Sequence, residues 1–317
     1  MRVRASGAAG IAVRVVFLFV DGLGVGPPDR ETNPCVHEKT GYFHVFGGQT
    51  PAPLPRGGVG FGIDATLGVE GLPQSATGQT ALLTGENAAR LIGRHLSGFP
   101  NEPLRKVLLE KSLLRQARER GFRPVFLNAY RPLFFELPEE TVLRLSATTV
   151  ANYAAGLPFF SLEDIKARRA IYQDFTNQVL IGRGFDVPLF GPEEAAAILA
   201  GAAEKYDLVL YEYFRTDRVG HKQNMQLALE VLERLGQFLD SFLSQIDLAE
   251  VSVILTSDHG NIEDVSTRSH TRNPAMTLVW GPAGEELLQK LRSIQDVSPT
   301  ILELLGRNGV EKNAVRA

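Results

Sequence analysis

The chain holds one cysteine, Cys35, among 317 residues. An intrachain disulfide is therefore excluded, and a reducing compartment is the expectation. Long apolar runs are missing too. Val15 to Val20 has only a strand's length and ends at Asp21, which is too short for a membrane span or a signal peptide core. Met1 to Val13 carries arginines and small residues but no sustained apolar stretch. Nor is there an excess of one charge: 33 Lys and Arg stand against 36 Asp and Glu, a formal net charge of -3. No basic field exists to attract nucleic acid. These absences lead us to expect a cytoplasmic protein with no nucleic-acid or membrane partner. The oligomeric state is left open.

What is present is enough apolar residue, 44%, for a large core in one domain spanning 1–317. Apolar runs alternate with helical patterns, the signature of a mostly parallel sheet between two helical layers. Strands are expected at Val15 to Val20, Val125 to Leu127, Asp207 to Tyr211, Val251 to Leu255 and Ala275 to Trp280. One helix is expected through Leu104, Leu108, Leu114 and Ala117, stopping at Gly121. Others are expected at Glu193 to Lys205, Val231 to Ile246 and Val297 to Leu305. Gly22 to Gly71 reads as a long loop. The looser segment 131–191, with helical signals around Leu162 to Leu180, reads as an insertion or a small cap.

Chemistry concentrates where strands should end. Asp258-His259-Gly260-Asn261 follows one apolar run and is followed by His270-Thr271-Arg272-Asn273-Pro274. Asp217 and His221 stand four residues apart after another run, and Asp21 closes the first. Loops at the carboxyl ends of strands are where open α/β sheets bind ligands, and imidazole with carboxylate suits divalent transition metals. A second informative stretch, Gln74 to Gly85, is rich in Ser, Thr, Gly and Ala. A helix starting there would point free N–H groups at an anion, with a serine placed to attack a phosphoryl group. The alternative use of Ser75 or Thr77 is an ordinary helix cap.

The run Ser75-Ala76-Thr77-Gly78-Gln79-Thr80-Ala81-Leu82-Leu83-Thr84-Gly85 resembles the nucleophile segment of alkaline phosphatase. Together with Asp21-Gly22, Asp217-Arg218-Val219-Gly220-His221, Asp258-His259-Gly260-Asn261 and the His270 to Pro274 motif, it makes the chain similar to the alkaline phosphatase superfamily. Within it, the catalytic domain of cofactor-independent phosphoglycerate mutase is most similar and phosphopentomutase next. The resemblance runs from Asp21 to Pro274, with poor agreement over Gly22 to Leu72 and Arg131 to Gly191. It implies a three-layer α/β/α fold and two divalent ions, manganese or zinc with magnesium as the further candidate. One ion would be held by Asp217, His221 and His270 and the other by Asp21, Asp258 and His259, with Ser75 as nucleophile and ligand between them. Two divalent ions bring four positive charges; three aspartates and an ionised Ser75 would cancel them, leaving the site open to an anionic phosphate.

Other motifs carry less. Gly22-Leu23-Gly24-Val25-Gly26 imitates a dinucleotide turn, but Pro27-Pro28 follows instead of a helix. Gly57 to Gly62 lacks the Lys-Ser/Thr of a phosphate loop. Neither Ser75 nor Cys35 has the Pro and Arg that a sulfatase places after its nucleophile. Thr77, Arg94, His95 and Arg131 are candidates for the substrate's distal group, although surface arginines are common. Phosphoglycerate mutases of this type carry a large domain between the nucleophile and the first metal pair, and the segment between Ser75 and Asp217 is too short for one. The expectation is hydrolysis of a small phosphorylated metabolite by a phosphatase or phosphodiesterase. A phosphomutase is the alternative, and a non-catalytic metal-binding protein on the same fold is the alternative of another class.

Overall fold

The computed structural model describes residues 14–47 and 50–307; the segment 1–13, expected not to be a signal peptide, lies outside the described residues. Seven strands form one sheet: β1 (Arg14–Val20), β2 (Ala52–Pro53), β3 (Val59–Ile63), β4 (Pro124–Phe126), β5 (Leu208–Tyr213), β6 (Val251–Thr256) and β7 (Ala275–Trp280). Their order is β2-β3-β7-β6-β1-β5-β4. β6, β1, β5 and β4 are parallel, whereas β7 pairs antiparallel with β6 and β3 antiparallel with β7. β1 thus lies inside the parallel block, between β6 and β5.

The period of two along these strands sorts the core into two layers. Val16, Leu18 and Val20 of β1 face one way with Val209, Tyr211 and Tyr213 of β5, and they bury the helices Pro192–Lys205 and Met225–Ser244. Val15, Phe17 and Phe19 face the other way, against the helices Ser75–Thr84, Glu102–Lys111, Ala147–Ala154 and Val297–Gly306. All six residues from Val15 to Val20 are buried, as a strand covered on both faces requires. This is the α/β fold that the alternation of runs announces. No described helix is long and apolar enough to cross a membrane.

Three sequence expectations need correction. The Gly22 to Gly71 stretch is not all loop, because it contains β2 and β3, which extend the sheet beyond β7. Two glycines in Val59-Gly60-Phe61-Gly62-Ile63 hide the alternation. The helix expected through Leu104 and Ala117 is two, Glu102–Lys111 and Leu113–Glu119. They meet at Ser112, whose extended backbone ends one and caps the next. The helical signal around Leu162 to Leu180 becomes two short helices, Leu162–Lys166 and Gln178–Ile181. Between them Asp174 takes the Asn177 and Val179 backbone N–H groups on its carboxylate, favouring a turn over a continuous helix. The segment 131–191 also feeds both layers, with Val150 and Ala151 in one and Ile165, Ile171, Phe175 and Leu180 in the other.

Candidate metal centre

The three acids expected as ligands come from the carboxyl ends of three adjacent central strands. Asp21 follows β1 directly, Asp258 lies two residues past β6, and Asp217 sits in the short helix Arg215–Gly220 just past β5. Parallel pairing brings these ends to one edge although Asp21 and Asp258 are 237 positions apart in sequence. The chain turns sharply at Gly22, where φ is +69° and a Cβ would stand 2.8 Å from the Asp217 Cβ. Only glycine lets the β1 and β5 loops approach this closely. The Ser75–Thr84 helix docks in the same way, since a Cβ at Gly78 would meet the Asp258 carbonyl oxygen at 2.8 Å.

His259 lies at the middle of the cluster. Its Nε2 is 3.3 Å from Asp21 Oδ1, 3.5 Å from Asp258 Oδ2 and 3.1 Å from Ser75 Oγ. Asp217 Oδ1 is 3.3 Å from His221 Nε2 and 3.4 Å from His270 Nε2. Donor atoms of Asp21, Asp258 and His259 lie within 4.8 Å of one another, and so do those of Asp217, His259 and His270. His259 therefore belongs to both groups, which the sequence reading did not foresee. His221, exposed at the rim, approaches Asp217 but stands outside the tighter group.

Each ring is aimed by its other nitrogen. Nδ1 of His270 meets the Pro73 carbonyl at 2.9 Å, Nδ1 of His221 the Arg268 carbonyl at 2.6 Å, and Nδ1 of His259 the Gly260 carbonyl at 3.4 Å. A carbonyl on Nδ1 fixes the tautomer that leaves Nε2 as the donor to a cation. Two side chains that sequence reasoning missed complete the frame. Asn261 donates to Asp217 Oδ1 at 2.7 Å. Glu263, 1% exposed, accepts from the Gly24 and Asn261 backbone N–H groups at 2.8 and 2.7 Å, from Asn273 Nδ2 at 3.0 Å and from the Thr271 hydroxyl. It ties the β1, β6 and His270 loops into one unit and accounts for Thr271 and Asn273 in the His270 motif. The signal available was an acid inside the loop linking the two histidine motifs.

The electrostatics show a shortage of positive charge. Two carboxylates within 4.8 Å repel by roughly 3–4 kcal/mol at an effective dielectric of about 20. Burial, reinforced by Asp258, pushes the Asp21 carboxyl up to about 7. Burial also raises Asp258, with Asp217 adding to it. Burial opposes charge on His259, but Asp258, Asp21 and Asp217 outweigh it and lift the imidazole to about 10. Asp217 shifts the other way: despite its burial, the hydrogen bond from His270 and the charge of His259 bring it down to about 2. Asp21 Oδ1 and Asp258 Oδ2 are buried without a hydrogen bond. Orphaned carboxylate oxygens beside convergent imidazoles fit a divalent ion, which would supply the charge a proton on His259 otherwise supplies.

Ser75 is the first residue of its helix, after Gln74 as cap, so it is not the capping serine of the alternative reading. The helix start is also not an open anion cradle. The N–H groups of Ala76 and Thr77 both point at the Leu96 carbonyl, at 3.0 and 3.4 Å. Thr77 is fully buried, and its hydroxyl bonds the Gln74 carbonyl and the Leu96 N–H. His95 is half-buried against the Val69 carbonyl, with burial lowering its pKa, and Arg94 is exposed. Arg131, also exposed, lines a separate cavity with Glu212. The helix start therefore offers an anion less than a free helix N-terminus would, since two of its N–H groups are taken.

Two outcomes follow. Glu263→Ala is expected to weaken divalent-ion affinity about 10–100-fold, because ligands lose their orienting partner; competition with a fluorescent chelator measures this, and unchanged affinity would mean the loops are held by other contacts. The second concerns pH. His259 is raised from 6.5 to about 10 in the fold, so its contribution to stability is complete below pH 6.5 and is lost as pH rises towards 10. The melting temperature of chelator-treated protein should fall between pH 6.5 and 9, while manganese-loaded protein should resist that fall. Superimposable curves would rule out a cation at these carboxylates.

Comparison with known proteins bears on family and fold. A family model described as Metalloenzyme superfamily matches residues 192–308, a span that holds Asp217, His221, Asp258, His259 and His270 but not Asp21 or Ser75. The chain is 35% identical to the 2,3-bisphosphoglycerate-independent phosphoglycerate mutase of Roseobacter denitrificans over 121 residues, 36% of this chain and 24% of that protein. It thus spans about a quarter of the length of the curated relatives it matches. The fold is similar to that of the PH0037 protein from Pyrococcus horikoshii, with a TM-score of 0.57 at 13% identity, covering 94% of this chain and 98% of that one. It is also similar to alkaline phosphatase from the Antarctic bacterium TAB5, with a TM-score of 0.53 at 15% identity, covering 93% and 98%. Residues 192–308 thus match the metalloenzyme superfamily, the chain shares its fold with alkaline phosphatase, and over 36% of its length it is similar in sequence to a 2,3-bisphosphoglycerate-independent phosphoglycerate mutase.

Proposed function

We propose that the protein is a phosphoryl-transfer enzyme that works with two divalent cations and a phosphoserine at Ser75, and that it hydrolyses a small phosphate ester. The observation that carries this reading is the convergence of Ser75, Asp21, Asp258 and Asp217 on the shared imidazole of His259. Asp21, Asp258 and His259 would hold one ion and Asp217 and His270, with His221 at the rim, the other. Manganese and zinc suit this mixed nitrogen and oxygen set, and magnesium suits it less well. Bound there, the ions would lower the pKa of the serine hydroxyl and offset the charge of the phosphate.

In the chemical step Ser75 Oγ forms a bond to phosphorus while the bond to the organic group breaks and its oxygen leaves with the electron pair. The proton lost from Ser75 is balanced by the one the departing alkoxide takes up, and water then cleaves the phosphoserine. Hydrolysis is favoured over return of the phosphate because the chain between Ser75 and Asp217 is spent on the two cores, with the segment 131–191 packed into both. A mutase must shelter its intermediate from water. The mutase reading has its own support in the names of the curated relatives, tempered by the quarter of their length that is shared.

Ser75→Ala should keep its metal content by elemental analysis and lose p-nitrophenyl phosphate turnover by about a hundredfold or more. Near-normal turnover would transfer the nucleophile's role to water. Hydrolase and mutase separate on the fate of a labelled phosphomonoester. Inorganic phosphate should dominate, in a reaction that chelation abolishes and manganese or zinc restores. Label appearing mainly on a second hydroxyl of the same molecule would establish the mutase.

A further inference from the structure

A cavity of about 350 Å³ opens at the same sheet edge, at the ends of β4 and β5. Its walls include Phe99, Tyr130, Phe134 and Phe214, and its charged lining groups are Arg131 and Glu212. The aromatic wall is built rather than incidental. The rings of Tyr130 and Phe134 lie 4.1 Å apart between centroids, and Phe159 packs against both at 5.1 and 4.7 Å. Phe99 and Leu133 stay 59% and 68% exposed at this cavity. Exposed apolar side chains gathered around a concavity mark a binding surface.

The cavity adjoins the metal centre. Glu212 is the penultimate residue of β5, in register with Phe19, two residues before Asp21. Phe214 stands three residues before Asp217. Phe99 follows by three residues the Leu96 carbonyl that caps the Ser75 helix.

We propose that this cavity receives the organic group of the phosphate ester, and that this group is an aromatic ring rather than a sugar or a glycerate. This rests on the phosphoryl-transfer reading above and narrows it to a substrate class. A hydroxyl-rich group would need several free polar partners, and those of Asn128 and Tyr130 are spent, while Arg131 and Gln173 keep theirs. Both ends of the Asn128 amide bond the Glu212 backbone, and the Tyr130 hydroxyl bonds Thr149 at 2.8 Å. A carboxylate would meet Glu212 as well as the exposed Arg131; Glu212 Oε2 takes the Thr148 hydroxyl at 2.6 Å and its Oε1 takes no hydrogen bond. That second oxygen suits a ring bearing an N–H or O–H. Burial, with Asp21 adding to it, holds the Glu212 carboxyl up at about 7, consistent with a site that takes neutral groups.

Binding of phosphonates tests this without a leaving group. Calorimetry on the manganese-loaded full chain should show naphthylmethylphosphonate binding about tenfold or more tighter than methylphosphonate, as burial of a ring predicts. Phe134→Ala should reduce that preference to about threefold or less and leave methylphosphonate unaffected. Leu133→Ser, at an exposed position where folding is not at stake, should reduce it in the same direction. Equal affinity of the two phosphonates in the unmodified protein, or equal losses for both in the variants, overturns the proposal. If neither phosphonate binds but naphthylmethanol binds in a Phe134-dependent manner, the cavity assignment stands and the phosphoryl reading fails. If naphthylmethanol fails as well, both fall.

Discussion

The structure depends on negative charge held where water cannot dilute it. Asp21 and Asp258 sit within the sheet edge, each with one oxygen that takes no hydrogen bond and faces the His259 imidazole, and burying two such groups side by side favours a cation or a proton set against them. The carboxylates around His259 push its imidazole above the ordinary range, in the direction of carrying a proton that sets positive charge against them. A divalent ion meets the same demand with more charge and shorter contacts. Much of the surrounding architecture serves this: the carbonyls on each Nδ1, the carboxylate of Glu263, and the glycines that let β1, β5 and the Ser75 helix approach one another.

That framework separates two sources of electrostatic help that a sequence reading joins. A serine at a helix start suggests that the helix itself welcomes a phosphate. Here the Leu96 carbonyl occupies the first N–H groups, so the helix positions Ser75 and contributes little to anion binding. On the proposed reading, activation and charge compensation would fall to bound cations and recognition of the rest of the substrate to another part of the edge, so that nucleophile, charge and specificity would be carried by different stretches of chain.

Much of this was legible in the sequence. Runs such as Val15 to Val20 are apolar without alternation because both faces are buried, and that pattern announces a covered parallel sheet. Ligand types stood out because aspartate and histidine at strand ends have few competing structural uses. What escaped notice shares a physical cause. Glu263 and Asn261 act through loops that are close only in three dimensions, and an acid in a loop ordinarily reads as a solvated charge. β3 was hidden because its glycines erase the apolar alternation. The double membership of His259 follows from the spacing of β1, β6 and β5 across the sheet, a distance that no linear motif encodes.

One consequence concerns the order in which the molecule acquires its properties. The donors come from the ends of β1, β5 and β6, joined through parallel pairings that close long stretches of chain, and such non-local pairings form late. The span 192–308 alone would carry Asp217, Asp258 and three histidines yet lack the carboxylate that β1 brings between them. A complete set of donors requires β6, β1 and β5 side by side. A cation bound there would recognise only the paired β6, β1 and β5, and its binding free energy would be returned as cohesion among those strands rather than of one loop. Such a centre would act as a keystone, holding together the strands that define it.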